Sequence, residues 1–152
     1  MPTRGTDQTD REMARQRVDR GTTPATYPFL VQETRILIAE DNPTAARLLE
    51  TILGEYGRIY IATDGLEALE MARPTKPHLI LSDIHMPRMS GIELCQHLKS
   101  DPETSSIPII LLSATDQPNR TECNAQAFLM KPFPIDELQR TVRELLNRTD
   151  NT

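Results

Sequence analysis

Five polar residues stand out because each closes or directly follows a short apolar run. Glu40 and Asp41 come after RILIA, Asp83 after HLILS and Lys131 after AFLM, while Ser113 ends IPIILLS. If these runs are strands of one parallel sheet, all five side chains converge on its carboxyl edge, where open α/β sheets bind ligands. Three carboxylates gathered there repel one another at neutral pH and call for a cation. Carboxylate, carbonyl and water oxygens, without Cys or clustered His, favour Mg²⁺, which keeps several waters and bridges to phosphate oxygens. A phosphoryl group in such a site needs further cationic and hydrogen-bonding partners, and Lys131 and the Ser113 hydroxyl supply one of each. A carboxylate can then act as nucleophile without a separate general base. Asp83 is the best placed, being central in the expected strand order and followed by IHMPRMSG, in which Pro87 and Gly91 shape a tight loop.

The elements that must hold these residues show as apolar runs alternating with helix-period segments, the pattern of βα units in a parallel sheet. Strands are expected over residues 35–39, 58–62, 78–82, 107–113 and 127–130. In the first helix Ala45, Leu48, Leu49, Ile52 and Tyr56 form the expected inward face, with Asn42 as cap and Pro43 in the first turn. A second helix is expected over 65–72. Ser90 with Glu93 has the spacing of a capping box and opens a third helix through Leu98. Pro134 opens a last one, in which Ile135, Leu138, Val142, Leu145 and Leu146 form a core stripe.

Composition narrows the function further. The 152 residues are 38% hydrophobic and 26% charged, which suits one α/β domain with a tail. No stretch is apolar enough to span a membrane, and the charged N-terminus is unlike a signal peptide, so a cytoplasmic protein is expected. The net charge is −5; residues 1–33 hold five Arg and five acidic residues, so the excess acid lies in the remainder. That balance disfavours direct nucleic-acid binding, which needs a dense cationic face. Residues 1–33 lack periodicity and read as a flexible leader, ahead of a domain over 34–148 and a short tail over 149–152; little room remains for a C-terminal effector domain. Cys95 and Cys123 have neither CxxC spacing nor His partners and read as reduced packing thiols; His78 and His97 read as structural.

The ordered set ILIAED, LILSDIHMPRMSG, IILLSA and Lys131-Pro132-Phe133 resembles the receiver domain of two-component response regulators, over about residues 34–148. The resemblance implies a flavodoxin-like doubly wound (βα)5 fold with a five-stranded parallel sheet in the order 2-1-3-4-5. It also implies roles: Asp83 as phospho-acceptor, Glu40 and Asp41 as Mg²⁺ ligands with Asp83 and the His85 backbone carbonyl, Ser113 as switch hydroxyl, Lys131 as phosphate-contacting cation, and Phe128 as switch aromatic. Lys131-Pro132 matches the family's cis peptide bond. The sequence departs from the pattern between Ser113 and Lys131, where 17 residues stand. Receivers usually have about four more, roughly one helical turn, so a shortened fourth helix is expected. The function implied is a stand-alone receiver phosphorylated by a histidine kinase or phosphotransfer protein and signalling to a downstream protein target. Its catalysis is then limited to its own phosphorylation and dephosphorylation. Two alternatives are a degenerate receiver that docks or dimerises without phosphorylation, and a Mg²⁺-dependent phosphohydrolase. The second is weakened because His85, not an acid, stands two residues after Asp83.

Overall fold

A computed structural model describes residues 33–114 and 123–150. The leader expected over residues 1–33, all but its last residue, lies outside the described residues, as do positions 115–122, on which the shortened fourth helix falls. The elements are β1 (Arg35–Ala39), α1 (Pro43–Leu53) with a 3-10 turn at Gly54–Tyr56, β2 (Arg58–Ala62), α2 (Gly65–Thr75), β3 (Leu79–Asp83), α3 (Gly91–Ser100), β4 (Ile109–Ser113), β5 (Ala127–Met130) and α4 (Ile135–Asp150). All four strand pairings are parallel and the order is β2-β1-β3-β4-β5, as expected.

Helices cover both faces, which is why the central strands are continuous apolar runs rather than alternating ones. Leu37, Ile80, Ile109 and Leu111 bury against Ala68, Ala72, Leu94 and Leu98 of α2 and α3. Ile36, Ile38, Leu81, Ile110 and Leu112 bury on the opposite face against Leu49 and Leu53 of α1 and Leu138, Val142 and Leu145 of α4. Each fully buried Leu or Ile contributes about 1.5–3 kcal/mol of transfer free energy. Two opposed cores thus fix the sheet, and with it the strand ends.

Local chemistry sets the boundaries. Asn42 accepts the Ala45 amide at 3.0 Å with Pro43 beginning α1, and Ser90 and Glu93 form a reciprocal capping box at α3. Strand β4 begins at Ile109, two residues later than the apolar run suggests. Pro108 has no N–H to give the ladder, though its carbonyl still accepts from Ile80 at 3.0 Å. His78 precedes β3, where its Nδ1 accepts from the Arg35 amide at 3.0 Å. Two expected core positions are corrected. Leu48 is 56% exposed, because α1 turns Ala46, Leu49 and Leu53 inward, and Ile135, the first residue of α4, is 50% exposed. Helix α2 continues three residues past Ala72 and α4 runs to Asp150, two residues past the expected domain end. No described helix is long and apolar enough to cross a membrane.

Candidate functional site

The carboxyl ends of β1, β3, β4 and β5 deliver the site. Glu40 follows β1, and its amide extends the ladder to the Ala62 carbonyl at 3.0 Å, which holds the side chain at the sheet edge. It is only 3% exposed. Its Oε2 accepts the Asn42 amide at 3.1 Å, while Oε1 is buried with no hydrogen-bond partner. Asp83 is the last residue of β3 and is also buried. Ser113, buried at the end of β4, accepts the Lys131 amide on its carbonyl at 2.7 Å, so the lysine backbone is anchored to the neighbouring strand. From there Lys131 places Nζ 3.1 Å from Asp83 Oδ1 and 3.6 Å from Glu40 Oε1. The Lys131–Pro132 peptide bond is cis.

Glu40, Asp41 and Asp83 each offer a carboxylate oxygen, and these oxygens lie within 4.8 Å of one another. Burial holds the Glu40 carboxyl above its usual range, and the charges of Asp83 and Asp41 push the same way. The Asn42 amide and the Lys131 ammonium oppose the rise. A buried acceptor without a donor, inside a cluster of hard oxygen ligands, fits a divalent cation such as Mg²⁺. Clustered carboxylates beside an ammonium and a hydroxyl are side chains from which a metal-assisted phosphoryl-transfer site can be built.

Of the other expected residues, His85 is exposed on the loop after β3, and Phe128 is partly buried on the α2/α3 face, in register with Leu111. Arg88 and Asp64, which carry no strand-end signal in the sequence, hold that loop together with Gly91. Arg88, at φ 69°, directs Nε to Asp64 Oδ2 at 2.8 Å, and Asp64 also caps α2 by accepting the Glu67 amide at 2.8 Å. Their mutual contact holds Asp64 below the usual carboxylate range. Gly91 comes so close to β3 that a Cβ there would stand 2.3 Å from the Asp83 carbonyl oxygen. The available signal was weak: a non-glycine residue between Pro87 and Gly91, and an Asp-Gly pair readable as a helix start.

The chain's similarity to known proteins agrees with this geometry. The family model described as response regulator receiver domain matches residues 36–143. The DNA-binding dual master transcriptional regulator RpaA of Synechocystis sp. is 35% identical over 121 residues, covering 76% of this chain and 50% of that protein. The chain therefore spans about half the length of that relative. The signal receiver domain of a histidine kinase from Syntrophus aciditrophicus superposes with a TM-score of 0.73 at 39% identity, covering 78% of this chain and 94% of that one. The receiver domain of a sensor histidine kinase from Pseudomonas aeruginosa gives a TM-score of 0.70 at 26% identity, over 76% and 99% of the two chains. That structure holds a magnesium ion in its active-site cleft. With its strand order, its acidic edge and a family match over most of its length, this chain belongs to the response regulator receiver domain family.

Proposed function

We propose that this chain accepts a phosphoryl group on Asp83 from a histidine kinase or phosphotransfer protein and signals through phosphorylation-dependent contacts with a downstream protein. The observation that carries the reading is the Lys131 ammonium, 3.1 Å from Asp83 Oδ1 and anchored through its own backbone to Ser113. A carboxylate oxygen of Asp83 forms the new P–O bond as the donor's P–N bond breaks and the donor imidazole takes up a proton. Lys131 neutralises charge on the incoming phosphoryl oxygens, and Ser113 offers its hydroxyl to one of them. Glu40, Asp41, Asp83 and the His85 carbonyl would hold Mg²⁺, which supplies charge neutralisation at the same oxygens. Ser113, the last residue of β4, and Phe128, the second residue of β5, form the switch, one on each side of the β4–β5 connection. Catalysis by the chain is confined to its own phosphorylation and dephosphorylation, in the cytoplasm. Incubation with a small phosphodonor and Mg²⁺, followed by intact mass, should show one added phosphoryl group on the wild type and none on Asp83→Asn. No adduct on the wild type, or an equal adduct on the variant, would refute the assignment.

A further inference from the structure

A second reactive cluster lies on the α2/α3 face, away from the acidic edge. Cys95 points from α3 into the core and is fully buried, and Cys123, just ahead of β5, packs against the same core from a partly buried position. Lys99, one turn beyond Cys95, brings the two segments together. Its Nζ donates to the Ile107 carbonyl at 2.8 Å, the Ser105 carbonyl at 3.1 Å and Gln126 Oε1 at 3.3 Å. Gln126 is itself clamped to β4, its Oε1 accepting the Ile109 amide at 2.8 Å and its own amide donating to the Ile109 carbonyl at 2.9 Å. This seats Gln126 beside α3, and Cys123, three residues earlier, packs against the same core cluster that holds Cys95. Burial pushes the Cys95 thiol up, and contact with Cys123 pushes it the same way.

We propose that Cys95 and Cys123 are a redox-active pair that a hydroperoxide closes into an intramolecular disulfide, fastening α3 to the β4–β5 connection. Cys123, the more accessible sulfur, meets the oxidant first. Its sulfur attacks one oxygen of hydrogen peroxide, the O–O bond breaks, and the departing hydroxide takes the thiol proton and leaves as water, with a sulfenic acid left on Cys123. The Cys95 sulfur then attacks the sulfenic sulfur. The S–S bond forms, the S–O bond breaks, and the departing hydroxide leaves as a second water with the thiol proton. Two thiols are oxidised by two electrons and one peroxide is reduced. Because Cys95 is protonated and enclosed, it is protected from direct oxidation and serves only to resolve its neighbour. The bond would tie α3 to the residues that lead into β5, coupling peroxide exposure to the strand that carries Phe128. Its chemistry does not depend on phosphorylation of Asp83.

The test treats the full chain with hydrogen peroxide, quenches, denatures, alkylates and measures intact mass. The expected product is a monomer lighter by two hydrogens that takes up no alkylating reagent, returns to two alkylatable thiols on reduction, and yields a Cys95–Cys123 cross-linked peptide. Cys123→Ser and Cys95→Ala should each leave that product unformed. Two alkylatable thiols in the treated wild type, or disulfide-linked dimers in place of the closed monomer, would overturn the proposal.

Discussion

Replacing Lys131 by Met separates the electrostatics of the acidic edge from its packing. At an effective dielectric constant of ~20, unit charges at the 3.1 Å and 3.6 Å separations of Lys131 from Asp83 and Glu40 attract by about 5 kcal/mol each. Desolvation and ordering of the ammonium cancel most of this. Removing one partner of a buried pair nonetheless costs about 3–5 kcal/mol, because the remaining charge is left uncompensated. Lys131 is 32% exposed, so solvent screening lowers the expected loss to about 2 kcal/mol in metal-free buffer at pH 7. The same ammonium competes with a metal for the carboxylate oxygens. Its removal should therefore tighten Mg²⁺ binding about tenfold, or ~1.4 kcal/mol. Stability should return as Mg²⁺ saturates the site, by about 2.7 kcal/mol at a hundredfold excess over Kd. Urea denaturation with chelator and with Mg²⁺ reads the first and third effects, and calorimetric titration reads the second. Weaker or unchanged Mg²⁺ affinity in Lys131→Met, with unaltered metal-free stability, would refute this electrostatic account.

Glu40→Gln tests the buried acid. Because burial raises the folded pKa above the ordinary glutamate value of 4.5, the unfolded state ionises first as pH rises, so this group's contribution to stability falls from about pH 4.5 through the folded pKa. The Gln variant should lose that fall, melt a few degrees higher than wild type in chelator at pH 7, and bind Mg²⁺ more weakly; pH-dependent thermal scans and a metal titration check this. Gly91→Ala forces a methyl to within 2.3 Å of the Asp83 carbonyl oxygen and should cost about 2–4 kcal/mol by urea denaturation. Leu49→Ala should cost about 2–5 kcal/mol while Leu48→Ala stays within about 0.5 kcal/mol, and the opposite ranking would reverse the face assigned to α1.

The strands were legible because both sheet faces are covered, so RILIA, HLILS and IILLS carry uninterrupted apolar signal. The polar residues at their ends were legible for the same reason, since a charge that terminates a buried run must emerge at the sheet edge. Where alanines carry part of the burial the signal weakened. Leu48 outranks Ala46 on hydrophobicity, yet Ala46 faces the sheet with Leu49 and Leu53. The Asp64–Arg88 contact was hidden because an ion pair between loops 24 positions apart leaves no periodic trace. The nearness of the segments that carry Cys95 and Cys123 was hidden likewise: their spacing reports separation along the chain, and the Lys99–Gln126 hydrogen bond and the shared core show that the two segments adjoin.

The site also divides into fixed and movable parts. Glu40 and Asp83 stand on backbone tied into the sheet, Asp41 lies between Glu40 and the Asn42 cap of α1, and the loop beyond Asp83 is fixed by Gly91 and by the Arg88–Asp64 pair. With all three carboxylates ionised and Lys131 protonated, the edge carries two net negative charges. An approaching phosphoryl group would meet repulsion that one ammonium cannot offset. A divalent cation brings the edge to neutrality, so on the proposed function metal occupancy should precede phosphoryl approach. Once the group arrives, the long Lys131 side chain is the charged element best able to follow it. Its Nζ must leave Asp83 Oδ1 for the new oxygens while its amide stays bonded to Ser113. On the proposed function the Lys131 amide would couple phosphate charge to β4 and β5 through its bond to the Ser113 carbonyl, and the structural response should begin at these two strand ends.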